Sequence, residues 1–540
     1  MVLKEGSNRS RGKEALHGNI TAAKVVSESV RSSLGPKGMD KMLVDNFGDV
    51  TITSDGRTIL DEMDIQHPAA KMMVEVAKTQ DNEAGDGTTS AVIIAGELLA
   101  KAEELIDKNI HPTIVIDGYR MAAEKALETL ERIAIPVDLK SSDYLKKAAT
   151  TSMGSKIVAE YKEYLADLAV KAMLEVAEKQ DGGCKVDVDD VKVEKKTGES
   201  LKDTILINGI VLDKEIVHSG MPKRVQKAKI ALIDASLEIE KTELDAKISI
   251  ESPDQIEAFL KEEETMLQDM TNKIAASGAN VVVCQKGIDD VEQHFLSKKG
   301  IIAIRRAKKS DMEKLAKATG GKIVSNLDDI SASDLGYAGL VEERKIGDDK
   351  MTFVEGCKNP KAVTILIRAG TQRMTAEAER SIHDALCVIR DLIQEPKIVA
   401  GGSAPELEMA SALRKYAETM SGREQLAVRV FAEALESITV TLAENAGVDP
   451  IDILVDLRSR HDKGEKWAGI EVLEGKIQDM SKVNIFEPLS VKKQIIKSAT
   501  EAATMILKID DIISATKMKA PPMPPGGMGG GMGGYPGMGE

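Results

Sequence analysis

The sequence predicts a multi-domain protein of α and α/β units in which a mostly helical domain is discontinuous, built from both ends of the chain. Three observations carry this. At 540 residues the chain is too long for a single core, and roughly three to four domains are expected. The stretches 13–136 and 405–517 read as helical. The block between them alternates short apolar strands with helical segments, as an α/β module does. Closing a long loop costs little more entropy than closing a short one, so a whole domain can be inserted between two halves of another.

The helical first third has three strong segments. Apolar residues recur at helical spacing through Ala69–Val76 and again through Ala91, Ala95, Leu98, Ala102 and Leu105. A further helix is expected from about Pro112, with Ile116, Tyr119, Ala123, Ala126, Leu127 and Leu130 on one face. In the middle block, Thr204–Val217, Lys229–Leu237, Asn280–Cys284, Gly300–Ile304 and Lys322–Ser325 read as strands, and Ile288–Ser297 and Asp311–Ala318 as helices. Hinges are expected at Gly154, Gly209, Gly370 and Gly401-Gly402. Residues 521–540, Pro-Pro-Met-Pro-Pro followed by Gly-Met repeats, cannot pack and are expected to be disordered, as a plain linker or as a soft apolar surface.

Composition removes several function classes. Apolar residues make up 42% and charged residues 30%, with a net charge of −15. No basic face interleaved with aromatics is present, which argues against a nucleic-acid partner. The four cysteines, Cys184, Cys284, Cys357 and Cys387, form no Cys-x-x-Cys pair. Neither a zinc knuckle nor a disulfide framework is indicated, and a reducing cytoplasm fits. No apolar run reaches the length of a membrane span, and no secretory signal is expected.

The chemistry concentrates in glycine-rich loops. Gly85-Asp86-Gly87-Thr88-Thr89-Ser90 opens a helix. Its glycines admit a bulky anion, its hydroxyls can donate to phosphate oxygens, and the Asp86 carboxylate can hold Mg²⁺. A Thr-capped helix after a glycine turn is the plainer reading. Leu34-Gly35-Pro36 ends a helix with exposed amides, or is an ordinary turn. Asp55-Gly56 is first a hairpin or strand-to-helix turn, with a second carboxylate beside it. Gly401-Gly402-Ser403 precedes Pro405, a residue suited to the first turn of a helix. Asp384 sits among Ile382, Leu386 and Ile389 in a helical pattern, where a solvated charge is the simplest account. No Walker motif occurs, so a P-loop enzyme is excluded.

In order and spacing, Leu34–Met39, Thr53–Gly56, Gly85–Ser90, Gly401–Glu406, Ser421–Gln425 and Leu442–Gly447 with Asp449 and Pro450 resemble the chaperonin family. The resemblance runs from about residue 10 to the tail, and is closest to the group II branch of archaeal thermosome subunits. It implies an equatorial domain (1–142 and 401–520), an intermediate domain (143–211 and 364–400) and an apical domain (212–363) with a helical protrusion at about 244–277 serving as a built-in lid. It implies an ATP-dependent chaperone that captures unfolded polypeptides and folds them in a cavity closed on ATP hydrolysis. The cofactors implied are ATP and Mg²⁺, and the assembly is two stacked eight-membered rings of like subunits, of one type or several.

Residue by residue, the resemblance makes Asp86 the magnesium ligand and Gly87, Thr88, Thr89 and Ser90 the phosphate-binding residues. Leu34, Gly35 and Pro36 would contact the nucleotide. Asp384 would position or activate the attacking water, and Asp55 would assist it. Lys156 would sense the terminal phosphate. Gly402, Gly469 and Glu487 would line base and ribose, with Lys492 nearby. Ser403 stands where the family has a third glycine, and is expected to narrow the approach. Two other classes use some of the same features: a small soluble ATPase or kinase with its own acceptor pocket, and a non-enzymatic binder of unfolded chains.

Overall fold

The computed structural model describes residues 8–139, 141–180, 183–239, 252–357 and 361–514. The tail expected at 521–540 lies outside the described residues, and of the expected protrusion only the part from Ser252 onward is described.

The first large core begins with α1 (Lys13–Arg31), α2 (Gly56–Glu62), α3 (Pro68–Ala84), α4 (Thr88–Asp107) and α5 (Pro112–Ile133). Pro68 and Pro112 occupy first-turn positions after His67 and His111, whose side chains cap the helices. Helix α4 is apolar on nearly every face, with Ala91 through Ala95, Leu98, Leu99 and Ala102 buried. A helix of that kind belongs at the centre of a bundle. It packs on α1, on α3 and on two helices from the far end of the chain.

The second core follows with α6 (Asp143–Met153) and α7 (Lys162–Val176), beside the strand Val191–Thr197. The expected strand over 204–217 is two strands in two sheets. Ile205–Ile207 joins Val363–Ala369 and Val191–Thr197, whereas Gly209–Leu212 joins the next sheet. The chain therefore passes from the second core to the third at residue 208.

The third core surrounds a seven-stranded mixed sheet. Arg224–Ile233 pairs in parallel with Val281–Cys284 and Ile323–Val324, and Val281–Cys284 pairs with Ile302–Ile304. This is the strand–helix alternation the sequence indicates. It is covered by α8 (Pro253–Ala276), α9 (Asp290–Lys298) and α10 (Lys309–Thr319). On the other side runs an antiparallel hairpin, Gly336–Ile346 with Asp349–Glu355, which periodicity does not single out. The chain then returns through α11 (Gln372–Gln394), whose apolar face belongs to the second core.

Helices α12 (Ala404–Glu418), α13 (Glu424–Ala446), α14 (Pro450–Asp462) and α15 (Leu489–Leu507) close the structure. Of these, α13 and α15 pack on α4 and α5, completing the first core. The described ends meet as an antiparallel strand pair, Asn8–Arg11 with Asp511–Ser514, joined by an Arg9–Asp511 ion pair. All four cysteines are free, and no helix of the described residues is long and apolar enough to cross a membrane.

Candidate active site

A cavity of about 700 Å³ lies where the first core meets the second. Leu34, Gly35 and Pro36, from the turn after α1, form one edge. Asp86, Gly87, Thr88, Thr89 and Ser90 form another, and Gly402, Ser403, Glu487 and Lys492 a third. Asp55 stands beside the second of these, and Lys156 and Asp384 reach in from the second core. Residues hundreds of positions apart are thus gathered at one opening.

The loop before α4 explains its own sequence. Gly87 is the helix N-cap with φ +78°, and a Cβ there would meet Ile495 Cδ1 at 2.6 Å. The helix begins at Thr88, so Thr88, Thr89 and Ser90 form its first turn. Backbone amides of a first turn have no intrahelical partner and point outward, a natural seat for phosphate. Asp86 Oδ1 accepts from Gly87 N at 2.6 Å, and among the described residues nothing hydrogen-bonds Oδ2.

The Asp55-Gly56 turn is of the strand-to-helix kind. Asp55 caps α2, its Oδ2 accepting from Thr58 N at 2.9 Å and Thr58 Oγ1 at 2.7 Å. Its Oδ1 accepts from Thr88 Oγ1 at 3.4 Å, which ties the two loops together. Burial opposes its charge, but Lys156, the Thr58 donors and Arg380 outweigh that and hold its pKa below the usual carboxylate value.

Asp384 is not a solvated helix charge. It is buried on the inner face of α11 and forms an ion pair with the nearly buried Lys156 ammonium. Burial pushes the Asp384 carboxyl well above its usual range. Lys156 opposes this, and the nearby carboxylates of Asp55 and Asp86 add to it. Burial also works against the Lys156 charge, but Asp384, Asp55 and Asp86 together raise its pKa, so the ammonium is fixed.

On the third edge, Gly402 has φ +62°, and its carbonyl accepts from Ile470 N at 2.9 Å. A Cβ there would meet Met480 Sδ at 2.5 Å. Gly469 is not in the cavity wall. It packs behind Gly402, where a Cβ would meet Gly402 O at 2.6 Å, and so supports the wall from outside. Lys492 is buried between Glu406 and Glu487, at 2.8 Å from each. Ser403 takes the left-handed conformation a glycine would favour, and its hydroxyl hydrogen-bonds Thr439 on α13.

Sequence reasoning gave no separate role to Leu442, Ile470 and Val472, which make an apolar wall. Nothing distinguishes such residues from other core positions until the cavity is seen. Glu406, which anchors Lys492, carried a signal only as part of the Gly401–Glu406 motif.

Similarity to known proteins extends over nearly the whole chain. Residues 26–517 match the TCP-1/cpn60 chaperonin family. The chain is 58% identical over 518 residues to thermosome subunit beta of Sulfurisphaera tokodaii, covering 96% of this chain and 94% of that protein. It is 56% identical over 540 residues to thermosome subunit beta of Archaeoglobus fulgidus, covering 100% and 98%. It is 59% identical over 519 residues to thermosome subunit beta of Thermococcus kodakarensis, covering 96% and 95%. With the fold, the cavity and matches over nearly its whole length in agreement, the chain belongs to the TCP-1/cpn60 chaperonin family, group II, whose members hydrolyse ATP to drive protein folding.

Proposed function

We propose that the cavity between the first and second cores is the ATPase site of this chaperonin, with Asp384 as its general base. The observation that carries this reading is the single cavity lined by Asp86 and Gly402, from opposite ends of the chain, together with Asp384 and Lys156. The triphosphate would rest on the first turn of α4, with Thr88, Thr89 and Ser90 donating to its oxygens and Leu34–Pro36 closing over it. The adenosine end would lie towards Gly402 and Glu487, with Lys492 fixing Glu487 and Gly469 backing Gly402.

The donor set at Asp86 fits Mg²⁺, since one carboxylate oxygen faces no partner. Among the described residues no group of three or more His, Cys, Asp or Glu gathers to hold a metal unaided. The remaining ligands would therefore be phosphate and water oxygens. Mg²⁺ bound there would neutralise phosphate charge. Asp384 would take the proton of the attacking water, and Asp55 would help orient that water. Lys156, now paired with Asp384, would also reach the terminal phosphate when ATP arrives, its charge still favouring the ionised Asp384 carboxylate that acts as base.

The first core is assigned as the equatorial domain, the second as the intermediate and the third as the apical. Asp384 and the phosphate loop belong to different cores, so hydrolysis would depend on how the cores close on each other. Helix α8, whose outer face exposes Ile256, Phe259, Leu260 and Met266, would form the stem of the lid. The chain would assemble with like subunits into two stacked eight-membered rings in the cytoplasm and enclose unfolded polypeptides.

The test is Asp384→Ala. Rings should assemble and bind ATP as before, while turnover falls by two to four orders of magnitude, the usual contribution of a general base. Unchanged phosphate release would remove Asp384 from this role.

A further inference from the structure

Behind the two catalytic carboxylates lies a second cavity, of about 540 Å³. Among the described residues only Asp55 and Asp384 line both cavities, so they form the partition between them. The walls of the second cavity come from all three cores. Arg57 and Thr58 stand on α2, Val193 on the strand Val191–Thr197, Arg380 and His383 on α11, and Lys314 on α10.

We infer that this second cavity is the route by which the attacking water reaches Asp384 and by which the proton it gives up leaves. The inference rests on the reading of Asp384 as general base and extends it. In phosphoryl transfer the incoming oxygen and the departing one lie roughly in line, on opposite sides of the terminal phosphorus. The base must stand on the incoming side, and the space behind the base lies on that side too. Once a nucleotide lies over the first turn of α4, it obstructs the front approach.

The second cavity also suits water. Arg57 is paired with Asp81 and lies 3.5 Å from Asp61, and Arg380 is held by Glu377 at 3.0 Å. Lys314 makes no ion pair among the described residues and projects from the third core. Charged walls of this kind are costly to leave dry, and a polar cavity of this size has room for many waters.

The step balances. One water enters, and its oxygen bonds to the terminal phosphorus as the bond from that phosphorus to the bridging oxygen breaks. ADP departs with the electron pair. The proton passes to the Asp384 carboxylate, then through water in the second cavity past His383 to solvent. Burial lowers the His383 pKa, so its imidazole is neutral near pH 7 and does not repel the proton.

The test fills the cavity from two different cores, with Val193→Trp and Lys314→Trp, and uses Val193→Ala as control. Full-length assembled rings are loaded with ATP and followed through one turnover. Each tryptophan variant should slow bond cleavage about tenfold, a fraction of what a general base contributes. ATP affinity and native particle size should stay within about twofold of the parent in all three, and the alanine variant should cleave at the parent rate. If one tryptophan variant fails to assemble, the other decides. Cleavage at the parent rate in an assembled tryptophan variant would overturn the inference. So would a loss matched by an equal loss of ATP affinity, or normal cleavage followed by slow phosphate release, which would mark an exit for product. Asp384→Ala run in parallel separates the two readings. A dead Asp384→Ala beside an unaffected Val193→Trp rejects the route alone, whereas an active Asp384→Ala rejects the base itself.

Discussion

At the scale of single residues, the Lys156–Asp384 ion pair is the contact on which the proposed chemistry turns. The lysine is the principal group opposing the burial that drives the Asp384 pKa upward. Lys156→Met would remove it, and Asp384 would become harder still to ionise. A base that is protonated at neutral pH cannot accept a proton, so the rate should drop at pH 7 and recover as pH rises. The rising limb of the pH–rate profile for ATP hydrolysis should accordingly move to higher pH; an unshifted limb would contradict the pairing. Ser403 allows a sharper comparison. Its left-handed backbone costs a non-glycine residue about 1–2 kcal/mol, and its hydroxyl satisfies buried Thr439. Ser403→Ala and Ser403→Gly both lose that hydrogen bond, but only glycine relieves the backbone. The glycine variant should be the more stable by about 1 kcal/mol, read as the difference in thermal unfolding midpoints. The expected narrowing of the nucleotide approach by Ser403 is moderated by this bond, because the hydroxyl is committed to α13.

At the scale of elements, several helices were legible in the sequence, whereas α6, α7 and the hairpin Gly336–Glu355 were not. Helices α3, α4 and α5 announce themselves through apolar spacing, and α3 and α5 also through first-turn prolines. The hairpin Gly336–Glu355 carries Glu342, Glu343, Arg344 and Lys345 in succession, and no alternation survives such a run. Its strands are held by cross-strand pairing instead, Arg344 with Glu355 at 2.6 Å, and Glu343 is paired at 3.1 Å with Lys223, just before the neighbouring strand Arg224–Ile233. Those partners appear only after folding. Asp384 was obscure for a related reason: one carboxylate on an amphipathic helix reads the same whether it faces solvent or a base's pocket. Elements also store pH sensitivity. Glu292 of α9 is fully buried against α8, and both its oxygens and the Thr271 hydroxyl lack hydrogen-bond partners. Burial raises its pKa from 4.5 to about 7, and the nearby Asp289 charge adds to this. A carboxyl whose folded pKa is raised favours the fold while protonated. That contribution is complete below pH 4.5 and disappears as pH climbs through 7. Stability should therefore fall by up to about 3 kcal/mol between pH 4.5 and 8. In Glu292→Gln the fall should be much smaller, measured by urea midpoints at pH 5 and pH 8. Equal pH dependence in both proteins would show that Glu292 ionises freely in the fold.

At the scale of the whole molecule, the three cores differ in how they are threaded, and that difference makes a prediction about folding. The third core draws its residues from one continuous stretch, 210–362. The first draws on both ends, with nothing between about 133 and 399. Helix α4 is the reason the ends cannot be separated. Ile93, Ile94, Leu98 and Leu99 are fully buried, and α13 and α15 supply much of the packing around that helix. Left in water, each such side chain forfeits about 1.5–3 kcal/mol, so four of them together are comparable to the whole margin of about 5–15 kcal/mol by which domains are stable. A fragment of residues 208–362, expressed alone, should fold, unfold cooperatively and give a dispersed amide spectrum. A fragment of residues 1–142 should be insoluble or collapsed alone, and should become soluble and helical when produced together with residues 399–520. The continuous fragment failing to fold would mean that its contacts with the second core, such as Lys192 with Asp311 at 2.6 Å, are needed for folding as well as for motion. The first-third fragment folding unaided would show that α4 does not need α13 and α15, and that the two ends of the chain fold independently of each other.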